Sequence, residues 1–280
     1  MYTSKSRYFM FIVVALVALA LVVSGCGSQG AASSQAGTKT VLKVGATPKP
    51  HAEILEHIKP ALAQEGVELQ VIQFTDYVQP NLALEKGDID ANFFQHTPYL
   101  ESFSKDHNLT DLVSVAKVHI EPMGVYSKKV TKLDQLQTGD TVAIPNDPSN
   151  AGRALALLAK AGLIQLKDSA GIKGTVQDIV SNPKQLKVVM LDAAQLPRVL
   201  QDPKTAAAVI NTNFALEAGL NPTKDALFIE DKDSPYANIL VVKNAKTNDP
   251  AVQKLVKALT SADVKKFIND EYKGSIVSAF

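Results

Sequence analysis

The chain has 280 residues, with 29 basic residues against 28 acidic and a single cysteine. A near-neutral balance argues against a broad cationic face for nucleic acid, and one cysteine excludes an intramolecular disulfide. A chain of this length buries a sizeable core without one.

Lys5 and Arg7 precede an uncharged stretch from Phe9 to Val23, which runs into Ser24-Gly25-Cys26. A basic start, a short apolar middle and small residues before a cut are the layout of a secretory signal. The stretch is shorter than the roughly 20 residues a membrane span needs. The residues before Cys26 match a lipobox, in which a small residue precedes the cysteine whose thiol takes a diacylglyceryl group. Residues 1–25 are therefore expected to be a cleaved signal peptide. Cys26 is expected to anchor the mature chain on the extracytoplasmic face of the cell membrane. One acyl chain holds weakly, at ~0.8 kcal/mol per buried CH₂, whereas two on one glycerol hold stably. Residues 26–39 carry that cysteine and a flexible tether of Gly, Ser, Ala and Gln, with an r.m.s. reach of roughly 20 Å. Lys5 and Arg7 leave with the leader, which has no acidic residue, so the mature chain stays close to neutral.

From Val41 onward, strand-like and helical runs alternate. Val41 to Gly45 reads as a strand. Pro50 to Gln64 has helical spacing at Ile54, Leu55, Ile58 and Leu62, closed by Gly66. Val67 to Phe74 alternates as a strand. Tyr77 to Lys86 reads as a helix capped by Asp76, with Pro80 in its first turn. Ile89 to Phe94 is the next strand and Thr97 to His107 the next helix. A second section begins near Ser127. Thr141 to Pro145 is a strand, and Asp147-Pro148 opens a helix with an N-cap and a first-position proline. That helix runs through Leu155, Leu157 and Leu158 to a stop at Gly162. Leu186 to Leu191, Ala206 to Ile210 and Asn238 to Val242 read as further strands. Pro250 to Tyr272 reads as one amphipathic helix. The alternation predicts an α/β fold with mostly parallel sheets, and the length suits two such units.

Several blocks carry a family resemblance: Phe74-Thr75-Asp76-Tyr77-Val78-Gln79-Pro80-Asn81, then Lys86-Gly87-Asp88-Ile89-Asp90-Ala91-Asn92-Phe93-Phe94-Gln95-His96-Thr97-Pro98-Tyr99-Leu100. Pro145-Asn146-Asp147-Pro148-Ser149-Asn150-Ala151-Gly152-Arg153 follows, then Gln195-Leu196-Pro197-Arg198, Val209-Ile210-Asn211-Thr212-Asn213 and Ser234-Pro235-Tyr236-Ala237-Asn238. In this order they resemble the NlpA-type lipoproteins, the substrate-binding component of methionine ABC importers, over nearly all of the mature chain. The resemblance implies a two-lobed binding-protein fold, with two α/β lobes joined by two crossing strands and a cleft between. Lobe one would be 40–127 plus 235–280 and lobe two 128–234, with crossings near Tyr126 and Pro235. One segment departs from the family pattern: Gly45-Ala46-Thr47-Pro48-Lys49-Pro50-His51 stands in place of a Gly-Val-rich stretch at a strand end near the ligand.

The resemblance implies a ligand site of Tyr77, Phe94, His96, Tyr99, Asn150, Arg153, Asn211 and Asn238. A free amino acid presents a carboxylate, an ammonium and a side chain. The planar fork of Arg153 suits both oxygens of a carboxylate, and it stands near a helix start, where the dipole favours an anion. Asn150, three residues earlier, shares its face. Amides such as Asn211 and Asn238 donate and accept, which suits a zwitterion. Tyr77, Phe94, His96 and Tyr99 would cup the side chain, since a thioether gains ~0.3–1.5 kcal/mol from each good aromatic contact. If the strand runs extended, Asn92, Phe94 and His96 share one face and Phe93 turns to the core.

The implied function is non-enzymatic. The chain would capture methionine, or alternatively a methionine-containing dipeptide or another amino acid, and deliver it as a monomer to an ABC permease with a separate ATPase. No Gly-x-x-x-x-Gly-Lys phosphate loop occurs in the sequence. No cofactor is implied. A metal-uptake role finds no His-x-x-x-His and no cysteine pair among His51, His57, His96, His107 and His119, so any metal site would need convergence in space. A hydrolase finds no Gly-x-Ser-x-Gly, and Ser102-Phe103-Ser104-Lys105 lacks the blocks that accompany a Ser-x-x-Lys catalyst. A surface adhesin is the alternative of a different class.

Overall fold

The computed structural model describes residues 39–280. The expected signal peptide, Cys26 and the tether up to residue 38 lie outside the described residues.

Strand β1 (Thr40–Ala46) leads through a turn at Pro48–Ala52 into helix α1 (Glu53–Gln64), followed by β2 (Val67–Gln73), α2 (Gln79–Lys86), β3 (Ala91–His96), α3 (Thr97–Asp106) and β4 (Leu112–Ile120). The chain continues through β5 (Gly124–Tyr126), β6 (Thr141–Pro145), α4 (Pro148–Lys160), β7 (Gln165–Leu166), β8 (Ile179–Ser181), β9 (Lys187–Leu191), α5 (Leu196–Val199), β10 (Thr205–Ile210), α6 (Thr212–Glu217), α7 (Pro222–Asp225) and β11 (Phe228–Ile229). It closes with β12 (Ala237–Lys243), α8 (Pro250–Leu259), α9 (Ala262–Tyr272) and β13 (Val277–Ser278).

The strands form a six-stranded sheet in the order β13-β4-β12-β3-β1-β2 and a five-stranded sheet in the order β11-β5-β10-β6-β9; β7 and β8 pair alone. Each large sheet is covered on both faces, so each lobe is a three-layer sandwich. On one face of the first sheet, Ile54, Leu55, Ile58, Leu255, Leu259 and Ile268 pack against Val44, Phe93, Leu240 and Val242. On the other, Leu84 and Leu100 meet Ile239 and Val241. The alternation along β12 is the period of two that a strand buried on both sides imposes. The second sheet repeats the scheme. Leu155 and Leu158 cover Val142 and Val209 on one face, and Leu196 and Phe214 cover Ala143 and Ile210 on the other.

The sheets are more mixed than expected. β1 runs parallel to β2 and β3, and β6 parallel to β9 and β10, but β12 is antiparallel to both β3 and β4, and β5 antiparallel to β10 and β11. A chain that leaves one lobe and later returns to it enters from the far end, and β12 therefore inserts against the direction of its neighbours. β4 was not named in the sequence. Its burial follows no clean alternation, because two irregularities interrupt its pairing with β12. The expected terminal helix is two helices. Ser261 accepts a hydrogen bond from the Val264 N–H and starts α9 afresh. The helix expected from Tyr77 begins at Gln79. Asp76 does cap it, accepting from the Val78 and Gln79 N–H groups.

β3 carries a bulge at Phe94. Gln95 pairs with Ile239 and Phe93 with Leu240, so Phe94 has no opposite residue. A bulge re-aims the side chains beyond it. Phe93 is fully buried in the lobe-one core. Asn92 and Gln95 stand opposite Val241 and Ile239, and Phe94 packs with Tyr99 and Phe103 on that side, but His96, opposite Asn238, leaves the face that the extended reading gave it. The Asn92 amide donates to Asn81 Oδ1 at 2.8 Å, which also accepts from Gln95 at 2.7 Å. Phe93→Ala removes a core ring that touches both His51 and His119 edge-on. It should cost ~3–5 kcal/mol, read as a lowered urea midpoint at constant m.

Candidate functional site

All eight residues expected at the site line one small cavity, joined there by Gln95, Glu121 and Thr212. They arrive from strand ends and helix starts of both lobes. Phe94 and His96 come from the bulged end of β3, Asn150 and Arg153 from the first turns of α4, Asn211 from the end of β10, and Asn238 from the start of β12. Ligands of open α/β sheets lie at such carboxyl ends.

The aromatic wall is Tyr77, Phe94 and Tyr99. The Tyr77 ring lies 5.9 Å from Phe94 and 5.6 Å from Tyr99, with Phe214 of the second lobe 4.9 Å away. Tyr99 O–H donates to the Tyr77 carbonyl at 2.9 Å, and Tyr77 O–H donates to Asn213 Oδ1 at 2.6 Å. Both phenols are held well above their usual range by burial, so they present neutral rings.

Asn150 is a positioning residue. Its Nδ2 donates to both carboxylate oxygens of Asp147, the N-cap of α4, at 3.1 and 2.9 Å. Its Oδ1 must then face the other way. There it accepts from Asn211 Nδ2 at 2.9 Å and from His96 Nε2 at 3.1 Å. Both ends of the amide are consumed, so Asn150 orients the groups beside it. The same logic fixes His96 as neutral with its proton on Nε2, because its Nδ1 accepts from the Tyr99 N–H at 3.2 Å. Asn211 is left with a buried Oδ1 that has no partner among the described residues, an acceptor against the cavity.

Arg153 departs from expectation. Its Nε and Nη2 edge, one of the two that could fork a carboxylate, is taken by Glu230 at 3.0 and 2.5 Å. Nη2 also donates to the Glu121 carbonyl at 2.7 Å, and the Tyr236 ring lies 4.1 Å from the guanidinium carbon. The two protons of Nη1 remain for the cavity. Glu230 was not singled out in the sequence, and nothing local marks it.

Glu121 was also missed. It is 6% exposed and is the one acidic residue lining the cavity. It lies just past β4, whose His119 precedes it by one turn of the pleat. The segment that departs from the family pattern lies behind it: Thr47 and His51 are fully buried and hydrogen-bonded to one another at 2.7 Å. The structure therefore does bring two of the five histidines together, with His51, His119 and Glu121 ligand atoms within 4.8 Å of one another.

Burial pushes His51 down to about 4 and His96 and His119 to about 3. The unfolded chain takes up these three protons as pH falls through about 6.5, while the folded protein refuses them. Stability therefore drops on acidification below about pH 6.5, by up to ~1.4 kcal/mol per unit for each histidine. Glu121, Asp147 and Glu217, all raised by burial and the last to about 7, oppose part of this. Denaturant unfolding should show a net loss from pH 7 to 5, and imidazole nitrogen-15 spectra should hold all three rings neutral over that range.

Residues 42–280 match the NlpA lipoprotein family. A D-methionine-binding lipoprotein MetQ from Salmonella typhimurium is 43% identical over 275 residues, covering 98% of this chain and 99% of that one. An outer membrane lipoprotein 3 from Mannheimia haemolytica is 42% identical over 241 residues, 85% of this chain and 90% of that one. A solved nutrient binding protein from Burkholderia cenocepacia, bound to methionine, superposes with a TM-score of 0.82 at 50% identity, covering 85% of this chain and all of that one. The strands, the cleft between the lobes and these full-length likenesses agree, and the chain belongs to the NlpA lipoprotein family.

Proposed function

We propose that this chain is the lipid-anchored solute-binding protein of an ABC importer, that it captures methionine between its lobes, and that Cys26 carries the anchor. The observation that carries the reading is the meeting, in one small cavity, of the Arg153 cation with an aromatic cup of Tyr77, Phe94 and Tyr99. A cation at one end and polarisable rings at the other suit a carboxylate joined to a thioether. The names of the relatives support the same ligand.

In this reading Arg153 Nη1 takes the carboxylate, Asn211 and Asn238 hold the polar end, and the rings with His96 enclose the side chain. Two hydrogen bonds link β3 and the Tyr77 turn to lobe two, His96 to Asn150 and Tyr77 to Asn213. They would latch the closed form, as hinge closure around a ligand requires. Rotation would occur at residues 121–123 and 230–236. The protein would act as a monomer without catalysis, delivering its ligand to a permease driven by a separate ATPase. Among the described residues no helix is long and apolar enough to cross a membrane, and attachment would rest on the lipid.

Protein lacking residues 1–26, unfolded and refolded to strip carried ligand, should bind methionine tightly in titration calorimetry. Both enantiomers and methionine-containing dipeptides belong in the panel. Arg153→Ala should weaken binding by ~2–5 kcal/mol, since a buried carboxylate loses its charged partner. Silence toward methionine, with binding of an unrelated amino acid, would replace the ligand.

A further inference from the structure

Glu121 is a buried carboxylate with no cation of its own. Its Oε1 lies 2.7 Å from His119 Nε2 and 3.2 Å from His51 Nε2, and its Oε2 accepts from the Asn213 N–H at 3.0 Å. The nearby Arg153 bonds the Glu121 backbone carbonyl instead, and gives its charge to Glu230.

The proton positions follow from the partners. His51 Nε2 faces two oxygens, Glu121 Oε1 and, at 3.0 Å, Asn238 Oδ1. Neither bears a proton when Glu121 is ionised, so His51 carries its own on Nε2 and shares it between them. Its Nδ1 is then bare and accepts the Thr47 hydroxyl proton at 2.7 Å. His119 must likewise carry its proton on Nε2 to approach a carboxylate so closely. Its Nδ1 is a bare lone pair, which explains why that atom lies buried with no partner. Both rings are neutral donors, seated edge-on against Phe93 at 4.7 and 5.3 Å.

A tetrahedral zinc ion with ligands at its usual ~2.0–2.2 Å would hold the three ligand atoms about 3.4 Å apart. The 2.7 Å separation of His119 and Glu121 is that of a hydrogen bond. The cluster is a donor network around one anion. It also sets Asn238: with Oδ1 turned to His51, its NH₂ faces away as a donor.

Three neutral donors stabilise the carboxylate, but they bring no positive charge. A buried charge without a counter-ion is costly, and Glu121 lines the cavity. We propose that Glu121, held in place by His51 and His119, receives the primary ammonium of the ligand, so that the site selects free α-amino acids over isosteric α-hydroxy acids and N-acylated amino acids. This rests on the methionine reading above. Asn211 lines the same cavity and its buried Oδ1 has no partner among the described residues, so it supplies a second acceptor. His51 and His119 are positioning residues that act through Glu121 and Asn238.

Calorimetric titration of the stripped protein with methionine, 2-hydroxy-4-(methylthio)butanoate and N-acetylmethionine tests this. The wild type should prefer methionine strongly. Glu121→Gln should lower the ratio of methionine to hydroxy-acid affinity by on the order of 30-fold, the equivalent of about 2 kcal/mol. Glu121→Asp, which keeps the charge, should retain most of the preference. His119→Phe should reduce the ratio less than Glu121→Gln. Equal binding of methionine and the hydroxy acid by the wild type overturns this proposal alone, whatever the variants do. An unchanged ratio in Glu121→Gln also overturns it. Absence of binding to all three overturns it together with the methionine reading.

Discussion

Removing a guanidinium from water costs several kcal/mol unless its protons find acceptors, and Arg153 is only 3% exposed. Its acceptors are Glu230 and the Glu121 carbonyl, which lie on the two segments that join the lobes. The same segments are tied to one another where Glu230 N–H donates to the Met123 carbonyl at 2.9 Å. The cation facing the cavity is thus a staple across the hinge. In the proposed reading a ligand carboxylate at Nη1 would add an acceptor and leave the Glu230 pair intact, so capture would not need to break the contact that keeps the connecting segments in register.

The amides around the cavity divide their work in a way that side-chain identity alone does not reveal. Asn150 spends its donor on the Asp147 cap and its acceptor on two neighbours. That choice passes outward. It fixes the tautomer of His96 and leaves the Asn211 oxygen as the free end of its amide. On the other wall His51 turns the Asn238 oxygen away. Two asparagines therefore present opposite polarity to one small space, an acceptor from β10 and a donor from β12. A zwitterion would meet both, and the groups that set this polarity all belong to the protein. Preorganised polarity of this kind lowers the ordering cost of binding.

Much of this was legible in the sequence where the signal was local. Asp147 with Pro148 marked the start of α4, and apolar spacing marked α1. The blocks that carried the family resemblance held the eight residues that meet at the cavity. Signals that depend on distant partners were invisible. β4 escaped because irregular pairing with β12 blurs its alternation, and with it went Glu121 at its end. His51 and His119 read as scattered histidines until the fold set the Pro48–Ala52 turn against the end of β4. The fork of Arg153 looked free because Glu230, far along the chain, has no local feature to announce it. The extended reading of β3 held as far as Phe94 and failed beyond the bulge, where one unpaired residue takes His96 off the face of Asn92.

The position of β12 has a consequence for the order in which the protein assembles. All strands of the second large sheet come from residues 124–229, a continuous stretch. In the first sheet β4 has only β12 and β13 as neighbours, and β3 has β12 on one side. The middle of that sheet is therefore supplied last. A chain emerging from its N-terminus can close the second lobe while β3 and β4 still expose apolar faces and unpaired backbone groups. Long-range closure of this sort is slow, and it leaves the half-built sheet open to wrong pairing. The C-terminal segment acts as a keystone strand, and losing it would split the first lobe through its centre.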